Sequence, residues 1–450
     1  MSIEKEKTNN FLLKISKLIK EQDHKSLIKL ISKLHIADIA DIVKELERSE
    51  IIYLFNILDN KKSSLLLIEI EEDLRKVILD SYSSKEIAKK IIRHLESDDA
   101  TDLLSKISNE KQEEVLSLLN NHDHANDISD LLNYDDDSAG GLMATELIKV
   151  NENWNTLMCL KEMKKQASHV NKVHTIYVVN NQNILLGSLS LKKLLLTERK
   201  SSIKDVANTD IVSVIDTEKS EVIINIMNKY DLIVLPVTNK KGQLLGRITI
   251  DDIMDVVKEE AEKDYQMASG ISEDVELSDT ILQLTRARLP WLLIGLVGGI
   301  LGAKIIGIFN ISQNLDLALF IPLIAAMGGN VGVQSAAIIV QGIANNTITN
   351  HKILTKLLKE LKVALLNGLI CSIIIFACTY LLNYRSDVSI TVSISLFSVI
   401  IFAALFGTFV PLSLKRYKID PALATGPFIT TVNDVLGLYI YFLIGQAILK

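Results

Sequence analysis

The chain has 450 residues, enough for several domains, and 48% of them are hydrophobic, but the charges are unevenly spread: residues 1–284 carry 37 Lys+Arg against 50 Asp+Glu, and residues 285–450 carry 12 against 5. A net −13 followed by a net +7 argues against one soluble fold and for an acidic cation-handling region joined to an apolar, weakly basic membrane region. Cys159, Cys371 and Cys378 are too few and too scattered for a disulfide framework or a cysteine zinc site, which points to a reducing compartment for the front part.

Residues 1–134 are predicted to be an all-α unit. The first glycine is Gly140 and the first proline Pro236, so the residues that usually punctuate turns are missing. Apolar positions recur every three or four residues, as at Leu34, Ile36, Ile39, Ile42, Val43 and Leu46, the stripe of a packed helix. Segments 34–43 and 95–104 look alike and are each followed by another amphipathic helix, which suggests stacked helical hairpins. Lys14, Lys17 and Lys20 interrupt the apolar residues of 11–19; no signal peptide is expected, and the front region should stay in the cytosol.

At Asp135-Asp-Asp-Ser-Ala-Gly-Gly-Leu-Met143 the chain becomes acidic and turn-rich, and β-branched runs begin. Two similar modules follow, at 135–199 and 200–257. The first reads Ile148-Lys-Val, a helix, Thr175-Ile-Tyr-Val-Val and Leu185-Leu-Gly-Ser-Leu-Ser; the second reads Ile211-Val-Ser-Val, a helix, Leu232-Ile-Val-Leu-Pro-Val and Leu244-Leu-Gly-Arg-Ile-Thr. The repeated Leu-Leu-Gly marks an internal duplication, and the order resembles a tandem pair of CBS domains. A charged connecting segment occupies 258–284. Five stretches then reach the roughly 20 apolar residues that span a bilayer: 289–309, 317–343, 361–383, 388–414 and 421–449. Arg286 and Arg288, then Lys352, Lys356, Lys359 and Lys362, then Lys415, Arg416 and Lys418 fall on the side of the N-terminal region. By the positive-inside rule that side is the cytosol, and the C-terminus lies outside.

Asp434 is the only acid well inside a span, and a charge at that depth costs about 2.5–3.5 kcal/mol on insertion scales. It reads either as a pathway residue or as a carboxylate satisfied by threonine hydroxyls of a neighbouring helix. Gly426, Thr430, Gly437 and Tyr441 share its helix face, with Thr431 adjacent. In the second span Gly328, Gly329 and Asn330, one turn before Gln334, favour a pore lining, whereas packing is the expected role of Gly295, Gly299 and Gly302 in the first.

Pro322, Gly328-Gly-Asn-Val-Gly-Val-Gln334 and Asp420-Pro-Ala-Leu-Ala-Thr-Gly-Pro-Phe-Ile-Thr-Thr-Val-Asn-Asp434 resemble the MgtE family of magnesium channels and transporters. The resemblance spans the chain and implies a multidomain membrane protein: an all-α N-domain, α/β tandem CBS domains, a connecting helix and a five-helix transmembrane domain. It also implies a homodimer in the cell membrane, an ion path along the subunit interface and an ion-binding carboxylate at Asp434. Mg²⁺ prefers near-octahedral oxygen ligands and sheds water reluctantly; paired Asp434 side chains with Asn330, Thr431 and the Gly328 and Gly329 backbone suit a hydrated ion. No span offers the thiolate or clustered imidazole ligands that favour softer metals.

Control is expected from acids at helical spacing, Asp98 and Asp102, then Asp252, Asp255, Glu259, Glu260 and Asp264 on the connecting helix. Divalent ions would offset their repulsion, so cytosolic Mg²⁺ would favour a compact form, which in the family holds the pore shut; each acid also reads as part of a solvated surface. Asp420 matches a family position near this helix. Thr249 and Asp252 match the CBS pattern that meets a nucleotide ribose, which admits ATP as a ligand, whereas Ser190 is followed by Lys193 in place of an acid. The flanking of Asp123 by His122 and His124 reads as a loop rather than a metal site. No Walker loop, catalytic triad or basic aromatic surface appears, so neither catalysis nor nucleic-acid binding is expected. The expected function is Mg²⁺-selective uptake closed by cytosolic Mg²⁺. The rivals are ion-coupled transport of Mg²⁺ or Co²⁺ and a membrane-anchored adenylate sensor.

Overall fold

Polar N-caps replace the missing glycines and prolines of the first 131 residues. Asp23 accepts from the Ser26 amide at 3.1 Å and Asp59 from the Lys62 amide at 3.0 Å, and Ser83 with Glu86 forms a reciprocal capping box. Each cap satisfies an amide that a helix start leaves unpaired, so the α region is cut into short helices rather than running on. The turn Ile87–Ile91 is π-helical and Ile92–His94 tightens to a 3₁₀ turn. Leu27, Ile31, Val43, Leu54, Phe55, Leu67, Ile78 and Ile87 are buried in one core.

The computed structural model describes residues 2–167, 170, 172–273, 275, 279–309, 315–344, 353–424 and 426–449. The predicted cytosolic-side residue Lys352 and motif residue Thr425 lie outside the described residues. The chain divides into two compact units, residues 1–257 and 258–450.

In the first unit the helical region is followed by two three-stranded sheets of the same topology. β1 (Ile148–Asn151) runs parallel to β2 (Ile176–Val179), which pairs antiparallel with β3 (Leu185–Leu189). β4 (Val214–Ile215), β5 (Val234–Thr238) and β6 (Leu244–Thr249) repeat the pattern. The Leu-Leu-Gly landmark has a steric cause. A Cβ on Gly187 would stand 2.4 Å from the Asn208 carbonyl oxygen, and one on Gly246 would stand 2.6 Å from that of Ala144. In each module, therefore, glycine admits a crossing backbone. The predicted strand at 211–214 is nearly lost, because Asn208 exchanges both backbone hydrogen bonds with Ser188 at 2.8 Å and carries the chain away from the second sheet. The modules meet at their hairpin tips, where the Asn183 side-chain amide donates to the Leu244 carbonyl at 2.8 Å.

In the second unit the spans form the helices Ile281–Ile308, Ile321–Ala344, Ile353–Leu381, Ser386–Arg416 and Pro427–Ile448. The first and third begin about eight residues before their apolar cores, at turns carrying exposed Arg286, Arg288, Lys359 and Lys362. The fourth span is central: 61% of its apolar stretch is buried, against 11% for the first and third. It packs on the second, third and fifth spans, and the first packs on the fifth. Gly407 lies so close to the Gly332 carbonyl that a Cβ would stand 2.3 Å from it, the close approach that small residues permit between spans.

Candidate ion path and acidic cluster

Asp434 sits midway along the fifth span, half-buried, on a cavity of about 1310 Å³ between the first, second and fifth spans. Thr430, Thr431 and Gly426 share the cavity with it. No described residue hydrogen-bonds or ion-pairs with its carboxylate. The Thr430 hydroxyl, on the same helix, donates to the Gly426 carbonyl at 3.0 Å, and no described threonine of a neighbouring helix hydrogen-bonds the acid. Tyr441 and Gly437, expected on the same face, turn into the bundle instead: Tyr441 donates to the Leu317 carbonyl at 2.8 Å, and Gly437 packs against Val399.

The glycines do not divide as expected, although Gly302, an expected packing residue, is buried with Leu438 3.6 Å from a Cβ placed there. Gly295 and Gly299 are the expected packing residues, yet a Cβ on either would meet nothing within 4 Å, and both line the cavity. Gly328 and Gly329, the expected pore lining, are buried contacts: a Cβ on Gly328 would stand 3.1 Å from Val399, and one on Gly329 3.0 Å from Thr430 and 3.2 Å from the Asp434 carboxylate. Gly329 thus lets the second span lie directly against the acid. Asn330 is exposed, and Gln334 lines a different cleft, so within one chain neither joins Asp434. Sequence reasoning missed Asn433, which is 0% exposed with neither side-chain amide atom hydrogen-bonded among the described residues, and did not single out Gly298, whose Cβ would collide with Thr431. A polar residue beside the acid was the available signal.

The end of the helix Ile250–Ala268 borders the cavity. Gly426, the N-cap of the fifth span, has φ +57°, and a Cβ there would stand 2.3 Å from the Ala268 carbonyl oxygen. Gly270, at φ +82°, receives the Pro427 ring, which would lie 2.5 Å from a Cβ. Both positions combine a left-handed backbone with a close contact, so only glycine fits without strain. The end of the connecting helix is therefore in direct contact with the start of the helix that carries Asp434.

In the first unit Asp98 and Asp252 come together, and Asp99, which sequence reasoning passed over, joins them. Burial, then the charges of Asp99 and Asp252, push the Asp98 carboxyl well above the usual range. Burial, then the charges of Asp252, Asp102 and Glu96, push Asp99 up to about 7. Asp252 is also raised by burial, against hydrogen bonds from the Thr249 amide at 2.9 Å and hydroxyl at 2.7 Å. The helix Ser97–Ser105 starts on the doublet Asp98-Asp99, where its dipole favours negative charge. Arg247, 4% exposed, pairs with Glu96 at 3.0 Å beside the cluster. Thr249, predicted to meet a nucleotide, turns its hydroxyl to Asp252.

Asp255, Glu259, Glu260 and Asp264 remain on the exposed surface of their helix, where Glu260 pairs with Lys263 at 3.8 Å. Asp420 caps a turn by accepting from the Ala422 amide at 2.8 Å. Among the described residues no three or more His, Cys, Asp or Glu side chains form a ready metal cage. The predicted His122–His124 loop is the start of the helix His122–Leu131, and His124 lies against Glu146 at 3.5 Å.

Family models match three regions: the MgtE intracellular N domain at 34–137, CBS domains at 139–198 and 203–259, and the MgtE divalent cation transporter domain at 321–444. The magnesium transporter MgtE of Bacillus subtilis is 28% identical over 98% of this chain and 97% of its own. That of Thermus thermophilus is 32% identical over 72% of this chain and 73% of its own. The cytosolic domain of the Mg²⁺ channel MgtE in complex with ATP superimposes with a TM-score of 0.51 at 25% identity, covering 54% of this chain and 99% of that structure. By sequence, architecture and matched domains, the chain belongs to the MgtE family of divalent cation transporters.

Proposed function

We propose that this protein is a Mg²⁺-selective, channel-like uptake system of the cell membrane, working as a homodimer whose N-terminal domains face the cytosol and whose C-terminus lies outside. The observation that carries the reading is Asp434, a carboxylate with no partner among the described residues, on a large cavity among the spans. An acid held at that depth without a counter-charge is stabilised by a cation passing it. Two copies facing across an axis would bind a hydrated Mg²⁺ with few protein ligands, leaving most of its water in place. The magnesium-transporting relatives support this choice of ion. In this reading Asn330 of each protomer reaches the path only in the dimer. Gly328 and Gly329 contribute by placing the second span against Asp434.

Closure by cytosolic Mg²⁺ acts through the first unit. Asp98, Asp99, Asp102 and Asp252 repel one another when ionised, and a divalent ion among them favours their close arrangement. The exposed acids of the connecting helix and Asp420 extend the same response, and the Gly270–Gly426 joint carries it to the fifth span. The working divisions are 1–134, 135–199, 200–257, 258–284 and 285–450. The nucleotide-bound relative supports an ATP site at the second module, with Thr249 and Asp252 the residues to test.

The test is Mg²⁺ uptake into cells lacking other Mg²⁺ systems, comparing wild type with Asp434→Asn. Rescue by wild type alone supports the reading, and equal rescue by both removes it. A linear current–voltage relation for the reconstituted protein distinguishes a channel from coupled transport.

A further inference from the structure

A second cleft, of about 470 Å³, opens between the second, third and fourth spans and contains none of the residues assigned above to the ion path. Its floor is apolar, with Ile338 and Ile400 among the lining side chains. Lys356 and Lys359, from the first two turns of the helix Ile353–Leu381, stand on it with Gln334. Among the described residues neither lysine has an ion-pair or hydrogen-bond partner. One acid shares the cleft, Glu360, and it accepts a 2.6 Å hydrogen bond from the hydroxyl of buried Ser335. Two cations against one carboxylate leave the cleft net positive.

An apolar slot within the bundle, with uncompensated ammonium groups where a span begins, matches an amphiphile with an anionic head and a hydrocarbon tail. A free phosphate would use the lysines but leave the apolar floor bare. A second copy of the chain is a poor match, because residues 285–450 hold 12 basic residues against 5 acidic ones, and Asp387 is already paired with Arg385.

We infer that this cleft is a binding site for one anionic phospholipid, its phosphate on Lys356 and Lys359 and an acyl chain along Ile338. The inference rests on the membrane placement of the spans and is independent of the ion that crosses them. The bound lipid clamps the second span, which lies against Asp434, to the peripheral third span.

The experiment is lipid retention by the full-length protein in mixed phosphatidylglycerol and phosphatidylcholine, read by native mass spectrometry. Wild type and Asp434→Asn should retain phosphatidylglycerol preferentially, so the result stands whatever becomes of the transport assignment. Each lysine near an anionic surface is worth about fivefold in binding, so K356Q/K359Q should lose at least about tenfold of the preference. Ile338→Trp, which fills the slot and keeps both lysines, should lower retention of the lipid as well. Equal retention of the two lipids by wild type, or unchanged retention in K356Q/K359Q, overturns the proposal. Displacement of phosphatidylglycerol by millimolar inorganic phosphate overturns it in favour of a free-anion site. A change of oligomeric mass in K356Q/K359Q with lipid retention intact overturns it in favour of a protein interface.

Discussion

The two units use carboxylates in opposite ways. Asp434 stands alone on a glycine-lined cavity with no partner among the described residues, whereas burial raises the pKa values of Asp98, Asp99 and Asp252 alike and the nearby Asp252 charge raises the first two further. An isolated acid has no internal competitor and meets whatever cation arrives. A crowded set is strained by its own charge, so it changes state when protons or cations neutralise it. The same residue type behaves differently in the two places because the surroundings differ, and the proposed roles, passage for the isolated acid and control for the crowded set, rest on that difference.

The most severe way to break the comparison is at the isolated acid. Asp434→Ala is expected to abolish most Mg²⁺ flux, because it removes the deep carboxylate that meets the ion, while leaving the thermal unfolding of the first unit unchanged; a radiotracer or fluorescent-dye flux assay reads the first effect and calorimetry the second. Next comes the cation beside the crowd. Arg247→Gln removes the buried guanidinium that pairs with Glu96 at 3.0 Å and should destabilise the first unit by about 1.5–3 kcal/mol, the range for a hydrogen bond to a charged group, measured by denaturant unfolding. An unchanged midpoint would mean that the pair does not organise the cluster.

The joint between connecting helix and fifth span gives a smaller effect. Gly426→Ala places a methyl group against the Ala268 carbonyl at positive φ, a strain of about 1–3 kcal/mol, and is expected to weaken closure by cytosolic Mg²⁺ in patch recordings while open-state selectivity persists. The smallest effect sharpens the crowd itself. Asp99 titrates at about 7 in the folded unit against an ordinary aspartate value of 3.8. A raised acid binds its proton more tightly when folded, so its stabilisation is present below about pH 4 and is lost as pH rises through 7. The first unit should therefore be less stable at pH 8 than at pH 6 without divalent ions. Asp99→Asn should flatten that slope, and so should added Mg²⁺; equal slopes for variant and wild type in a thermal-shift series would remove Asp99 from the switch.

Much of the architecture was legible in residue order. The glycine- and proline-free stretch before Gly140 is helical, the Leu-Leu-Gly duplication is two sheets of one topology, and the apolar runs are five long helices. These features depend on periodicity and turn chemistry, which act between near neighbours. The isolation of Asp434 was half legible: a lone acid in an apolar run is visible in the sequence, but that no described hydroxyl hydrogen-bonds it depends on how the spans pack.

The sequence by itself determined the kinds of elements, their order and the presence of one acid deep in the spans. Only the tertiary structure decided which glycines open space and which close it, that Asn433 is buried beside the acid, and that Asp99 rather than the exposed acids of the connecting helix joins Asp98 and Asp252. The reason is one of range. Helix and strand periods are written over a few residues, whereas the neighbour of a glycine or a carboxylate is set by helices packed from distant parts of the chain, and one helical position turns a side chain by about 100° from one neighbour to another.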